Sequence, residues 1–526
     1  MNFLRNIILV LFLTATISSC SKDLLETIPN DRISTEIFWK TDNDATLAAN
    51  AVYTYLDDIP TYFSWDGMSD IGHTNVPFDA YAIIEIGQHD ALNGIIFDFW
   101  TNSYTGIRSA NTFLKNVDKV QTVNPQNIEI LKGEVKVLRA YYYMRLAALF
   151  GDVPLVTTEI TLEESRKLTR TPVSEIWNFI SSQLDEAAQI LPITQKEKGR
   201  VTKGASQALK ARAMLFAGRY SEAMASAKEV MDLNIYSLYS SYENLFGYAA
   251  ENNTEIILDK QFVKDTYRNN VFGYMAPYSQ QSSGNHFVPI KKLVDSYQMK
   301  NGKEISDPSS GFNPEDPYAN RDPRLKFSIY VLGDILPDGK GYNPKPGSGT
   351  SDAIDFTYLS TSTGFNLKKY INKEDLAQPS NGGINLILLR YPEVLLTYAE
   401  AKIELNQIDQ TVLDAINIIR QRPDVNMPLL TNLGSQEEMR AVVRHERLIE
   451  LAFEGLRYFD IRRWKIAENV IPGKIYGMTY KDNDGTLKTV DIQSFDKTFV
   501  TNRDYLWPIP QKERELNPNL TKNPNW

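Results

Sequence analysis

The chain has 526 residues, 42% of them hydrophobic and 23% charged, with a formal net charge of -9; this is a globular composition, not a disordered or multi-span one. The acidic balance excludes the basic stripe that nucleic-acid binding requires. A single cysteine excludes an internal disulfide, and an aromatic content of 11%, with 28 Tyr, supplies large rings with polar edges that suit packing and ligand surfaces alike.

The first element is a targeting segment. Arg5 precedes an apolar run from Ile7 to Ile17, and Ile17, Ser18, Ser19 and Cys20 form a lipobox. The run is short of the ~20 apolar residues a membrane helix needs, so residues 1–19 read as a cleaved lipoprotein signal and Cys20 as the lipidated first residue. An acidic, extended tether follows from Ser21 to Ser34. The stretch Ile59 to Asn93 is rich in turn formers and reads as a loop excursion. Over Glu129 to Phe150 the residues Leu131, Val135, Leu138, Tyr142, Leu146 and Leu149 recur at steps of three and four, predicting one helix that Gly151 and Pro154 stop. A second helix is predicted after Pro172, with Ser174 as N-cap, running to Leu191.

From Lys203 to Leu233 the pattern is that of a helical hairpin. Ala208, Ala211 and Leu215 share one face, Gly218 breaks the helix, and Ala223, Ala227 and Val230 continue the rhythm. Small residues facing each other in a unit of about 30 to 35 residues resemble a tetratricopeptide repeat. Pro392 to Arg422, with its turn near Asn406, repeats the pattern; an ordinary helical hairpin is the alternative for both. Between them, Val271 to Gly383 is dense in Gly, Pro, Ser, Asn and Asp and reads as a long irregular excursion, the kind of segment on which binding residues sit.

Chemistry-bearing motifs are few. His73, His89, His286 and His445 lack metal-ligand or nucleophile spacing, and no Gly-rich phosphate loop occurs. Asp482 to Gly485 lacks the later Glu of a calcium loop and reads as a hairpin turn. Glu446, Glu450 and Glu454 recur at steps of four, with Arg447 and Arg457 three residues from Glu450 and Glu454. This reads as a structural ion network rather than a glycosidase pair, whose carboxylates flank a cleft roughly 5 to 10 Å apart.

The run from Arg444 through Glu446, Leu451, Phe453, Glu454, Gly455, Leu456, Arg457, Tyr458, Phe459, Asp460, Arg462 and Arg463 to Trp464 resembles the signature of the SusD/RagB family, outer-membrane nutrient-binding lipoproteins of Bacteroidetes. Arg390 to Leu395 with Tyr398 to Ala401, Leu506 to Pro510, Asn517-Pro518 and Asn523-Pro524 are similar to its later segments, and Trp100, Tyr104, Ile107, Ala110 and Asn111 to its early helix. The resemblance covers nearly the whole chain.

It implies a mostly α fold, a single large α-helical SusD-like domain of about four tetratricopeptide-like helix pairs with a loop-rich irregular half. Residues 20–245 would form the N-terminal region and 246–526 the C-terminal one. It also implies a non-catalytic surface protein that captures an oligosaccharide for a SusC-like TonB-dependent outer-membrane transporter; the residues themselves suggest no cofactor and no metal site, and whether calcium binds is not legible in them. A peptide ligand, and a surface glycosidase, are the alternatives.

The ligand contacts follow by elimination. Trp39, Trp100, Trp177, Trp464 and Trp507 fall in scaffold segments and Trp526 is terminal, which leaves Trp65 as the leading ring for stacking on a sugar face. Tyr62, Phe63, Asp66, Asp70, Asn75 and Tyr81 surround it in sequence. Tyr274, Tyr278, Gln280 and Asn285 would form the opposite wall, with local loop packing the alternative for each.

Overall fold

The computed structural model describes residues 38–280 and 283–526. The signal segment 1–19, the lipobox ending in Cys20 and the acidic tether lie outside the described residues. No helix among the described residues is long and apolar enough to cross a membrane.

The fold is mostly helical. Its scaffold runs α1 (Asp42–Tyr53), α2 (Ile59–Gly67), α3 (Ala80–Glu85), α4 (Gly94–Asn116), α5 (Pro125–Phe150), α6 (Val173–Ile190), α7 (Lys203–Phe216) and α8 (Tyr220–Asp232), then α9 (Tyr391–Glu404), α10 (Gln410–Arg420), α11 (Gln436–Glu450) and α12 (Arg457–Arg463). From α4 to α9 each helix packs on the next, and α9 then receives α10 and α11. This is a helical-repeat stack, in which neighbours bury each other's apolar faces.

Local chemistry sets the boundaries. Asn124 caps α5, Pro125 opens it, and Gly151 at φ 69° ends it. The expected hairpins are present: α7 turns into α8 at Gly218 (φ 71°), and α9 into α10 at Asn406 (φ 55°). The α6 start differs from expectation. Pro172, not Ser174, is the N-cap, and the Asp152 carboxylate accepts the Val173 N–H at 2.8 Å, because a proline pre-sets the entry and a neighbouring carboxylate supplies the cap. Gly106 lets α4 approach α5 closely, since a Cβ there would lie 2.6 Å from the Tyr142 ring.

The expected loop from Ile59 to Asn93 contains α2 and α3. Asp58 caps α2 by accepting the Thr61 N–H at 2.9 Å, and Pro60 sits in its first turn. Seven of its nine residues are buried, so no polar face marks its period.

Between α8 and α9 lies the irregular excursion. Its ends are joined by β2 (Ile256–Lys260) and β6 (Leu386–Arg390), an antiparallel pair with a bulge. Inside it, β3 (Phe287–Pro289) pairs with β1 (Gly72–Thr74) from the N-terminal part, and β4 (Ile329–Tyr330) pairs with β5 (Asn366–Leu367). The turn at Asp482 to Gly485, where Gly485 has φ 85°, joins β7 (Gly473–Lys481) to β8 (Leu487–Lys497) as the expected hairpin.

A buried ion cluster fastens this excursion to the stack. The carboxylates are Glu255, Asp322, Glu446, Glu450 and Glu454; the cations are Arg324, Lys369, Arg390, Arg420 and Arg422. All are buried and joined in one network. Burial alone would raise the Glu450 carboxyl, but the charges of Arg390, Arg422 and Arg324 outweigh it and hold the group well below the usual carboxylate range.

The network was expected, but its pairing differs. Glu454 lies beyond the end of α11, and Arg447 and Arg457 pair outside the run's glutamates, with Asp460 at 3.1 Å and Asp70 at 2.8 Å. The chain turns at Phe453 (φ 57°), so local helical spacing does not reach Glu454.

Candidate functional site

The loop between α1 and α2, the first turns of α4, the C-terminal half of α5 and Lys260 of β2 enclose a cleft of about 500 Å3. Its floor is aromatic: Trp65, Phe99, Tyr141, Tyr142 and Trp507. Trp65 meets Phe99 edge-on at 5.5 Å and Trp507 at 5.5 Å, while the Arg145 guanidinium lies 4.7 Å over its ring. Trp65 is only 1% exposed, so its ring is packed from several directions and supports the floor rather than standing free.

Both cations of the cleft are spent internally. Arg145 pairs with Asp57, whose Oδ2 also accepts the Trp65 Nε1–H at 3.3 Å. Lys260 donates to the Leu56 carbonyl at 2.7 Å and the Asp57 carbonyl at 3.4 Å. Burial lowers its ammonium below the ordinary lysine value, with Asp58 and Asp57 opposing. What remains toward solvent is neutral or acidic: exposed Thr54, Asp58, Asp98, Thr101 and Asn102 form the rim. Asp98 and Asn102 are one helical turn apart on α4, which puts both on the same face.

Tyr81 adds a wall. Burial, and then the Asp58 charge, raise its phenol above the ordinary value. Tyr81 and Tyr274 both pack on Phe287, at 5.4 and 6.0 Å, and Tyr274 stacks on His286 at 3.7 Å. His286 Nδ1 lies 3.0 Å from the Asp79 carboxylate. This corner is where the two excursions meet.

Of the residues singled out by sequence, Trp65 and Tyr81 line the cleft and Tyr274 shares the Tyr81 corner. The others point elsewhere. Tyr62 packs on Phe63 and Tyr370, and Asp66 accepts the Arg457 N–H at 2.9 Å and the Gly455 N–H at 3.3 Å. Asp70 pairs with Arg457, and Asn75 bridges Ser360 and Ser362. Tyr278 lies against Phe356, while Gln280 and Asn285 are fully buried. The rim residues Asp98 and Asn102 and the floor pair Asp57 and Arg145 were missed. The Asp57-Asp58 step before a proline was their one readable signal.

Among the described residues no group of three or more His, Cys, Asp and Glu side chains is placed to hold a metal ion. Two of the cleft's three carboxylates serve structure: Asp57 holds Arg145 and Trp65, and Asp58 caps α2, while Asp98 stands exposed on the rim. The site offers the half-buried Tyr55, Ile95 and Phe99 over a buried aromatic layer, with a ring of hydroxyl, amide and carboxylate groups around them.

Residues 254–526, just over half of the chain, match the model of the SusD family, and residues 42–215 match a model described as starch-binding associating with outer membrane. A SusD-like protein of Formosa agariphila is 26% identical over 534 residues, covering 97% of each chain. A solved SusD-like carbohydrate binding protein of Bacteroides fragilis is 29% identical with a TM-score of 0.84, covering 92% of this chain and 100% of its own. A second SusD-like protein from that species is 26% identical with a TM-score of 0.82, over 95% and 100% of the two chains.

Proposed function

Because the chain belongs to the SusD family, we propose that it is a lipid-anchored, outer-membrane surface protein that captures a neutral oligosaccharide and delivers it to a SusC-like TonB-dependent transporter. The observation that carries the reading is the cleft, an aromatic floor inside a rim of Thr54, Asp58, Asp98, Thr101 and Asn102. Sugars present C–H faces and hydroxyl edges, and such a floor and rim match both. The solved relative described as carbohydrate binding supports the ligand class, and the outer-membrane description of the matched N-terminal model supports the location. Cys20 supplies the anchor in this reading.

The charge of the site narrows the ligand. Arg145 and Lys260 are already engaged and the rim carries Asp58 and Asp98, so uronate and sulfate groups meet repulsion without a free cation. Turnover is not part of the reading, since Asp57 and Asp58 hold structure and leave Asp98 as the one remaining cleft carboxylate where a glycosidase needs a pair. The test is calorimetry of the mature protein against neutral glucans and mannans, polygalacturonate and chondroitin sulfate, with pull-down of the barrel partner from membranes. Binding to none of the neutral glycans defeats the proposal.

A further inference from the structure

A second groove, of about 690 Å3, lies between the C-terminal end of α5, the α7–α8 turn, α12 and the segment 505–524. One side is apolar, with the Phe216 and Phe459 rings stacked at 5.4 Å and 12°. The other is cationic, lined by Arg170, Arg462, Arg463, Lys465 and Lys522, with Asp152 as the single lining carboxylate. That carboxylate is occupied at the start of α6.

Arg462 is unlike the other buried arginines. Arg447 and Arg463 pair with Asp460 and Glu400. Arg139 and Arg321 lack a carboxylate but are supplied with acceptors, Asn111, Gln183 and the Thr157 carbonyl for one and four backbone carbonyls for the other. Arg462 is 8% exposed, and no carboxylate among the described residues lies within ion-pair distance. It donates to the Tyr458 carbonyl at 3.3 Å and lies over the Tyr458 ring, 3.3 Å from its centre. Its Nε, like those of Arg139, Arg145 and Arg422, has no partner; what sets it apart is that one carbonyl is its only hydrogen-bond acceptor among the described residues. Asp504 contributes to its field, but the Asp504 oxygens are taken by Arg503 and the Val500 N–H. A guanidinium cannot shed its proton, so a buried one without a counter-charge is held at a cost that a bound anion offsets.

A second donor stands beside it. The Tyr505 hydroxyl is buried without a partner, in the same groove, and exposed Lys465 places its ammonium 4.0 Å from the Tyr505 ring centre. We propose that this groove binds the carboxylate of a small ring-bearing molecule, with Arg462 and the Tyr505 hydroxyl donating to its oxygens, Lys465 adding charge, and the ring seated on the Phe216–Phe459 stack. The donors are charge-assisted and fixed in place.

The test is calorimetry on the full mature chain in a buffer of low anion content. The probes are phenylacetate and glucuronate, which distinguish an aryl acid from a sugar acid, with acetate, phenylacetamide and glucose as controls. The expected result is saturable binding of one or both ring carboxylates, tighter than acetate, and none of phenylacetamide, while any glucose signal comes from the first cleft and is the same in Arg462→Gln. Arg462→Gln then weakens binding at least about 30-fold, as losing one side of a buried charge-assisted pair does. Tyr505→Phe weakens it about tenfold, and neutral-glycan binding in the first cleft stays unchanged in both variants. If Arg462→Gln does not fold, Lys465→Gln and Tyr505→Phe give the same readout from less buried positions. The proposal is overturned if neither ring carboxylate binds more tightly than acetate, or if the folded variants bind as the parent does.

Discussion

Glu450 is the most connected carboxylate of the buried cluster, and Glu450→Gln is the sharpest probe of how the irregular half is held. Its oxygens accept from Arg390 at 2.6 Å, Arg422 at 3.0 Å and Arg324 at 3.0 Å, and the side chain is 0% exposed. Gln keeps one acceptor but turns an amide NH2 toward guanidinium donors, leaving five cations against four carboxylates in the network. Breaking a buried pair from one side costs about 3–5 kcal/mol. With an unfolding entropy of ~2.1 cal/mol/K per residue over roughly 500 residues, about 1 kcal/mol shifts Tm by ~1 °C, so the expected drop is roughly 3–5 °C. Denaturant unfolding of parent and variant, with a cycle through Arg422→Met, measures it. The folded Glu450 carboxyl lies below its ordinary value of 4.5, so its contribution is fully present above pH 4.5 and is lost as pH falls toward the folded value. The gap between parent and variant therefore closes in acid. A loss below about 1 kcal/mol at pH 7, with the cycle additive, refutes the account.

Three further outcomes are expected. Trp65→Ala empties a fully packed position and costs about 3–5 kcal/mol in denaturant unfolding, whereas Asn102→Ala on the exposed rim changes stability by no more than about 0.5 kcal/mol yet lowers glycan affinity several-fold by calorimetry; parent-like binding in Asn102→Ala removes the rim from the site. Burial pushes the Asp66 carboxyl up to about 7 from 3.8, against the Arg457 and Gly455 N–H bonds, so its contribution is full below pH 3.8 and is lost as pH rises through 7; Asp66→Asn, followed by thermal unfolding, gains on the parent across that window by up to ~1.4 kcal/mol per pH unit. Gly106→Ala forces a Cβ to 2.6 Å from the Tyr142 ring and costs about 1–3 kcal/mol, while Gly94→Ala, with nothing within 4 Å of its Cβ, leaves Tm at or above the parent's.

The helical stack was legible because its helices carry period and punctuation together. Leu131 to Leu149 lie on one face of α5, and Gly218 and Asn406 sit where the hairpins turn. The cleft was not, for two reasons. α2 is buried on nearly every side, so Ile59 to Gly67 shows no amphipathic period even though Asp58 and Pro60 announce its start. Elimination then left Trp65 as an unassigned ring, and an unassigned ring is as easily core as contact. The partners of the site are also far apart in sequence: Asp57 meets Arg145 across 88 positions, and Lys260 meets Leu56 across 204. No local pattern encodes such meetings. The same holds for the ion cluster, where the spacing of Glu446, Glu450 and Glu454 announced a network but gave no hint that Arg324 and Lys369 would come from the excursion and Glu255 from the residue before β2.

The antiparallel pairing of Ile256–Lys260 with Leu386–Arg390 closes the long irregular segment at its base, and the pairing of Phe287–Pro289 with Gly72–Thr74 stitches it to its host a second time. Chain entropy grows only slowly with the length of a loop whose ends are already held together. Material between residues 261 and 385 can therefore be lengthened, shortened or rewritten with little effect on the helices that flank the seam, provided that Arg324 and Lys369 keep their carboxylate partners, Phe287–Pro289 keeps its pairing with Gly72–Thr74, and Ser360 and Ser362 keep Asn75. A chimaera exchanging that segment at the seam would leave the lining of the candidate cleft, which comes from residues 54–65, 81, 95–105, 141–145, 260 and 507, on the parent frame.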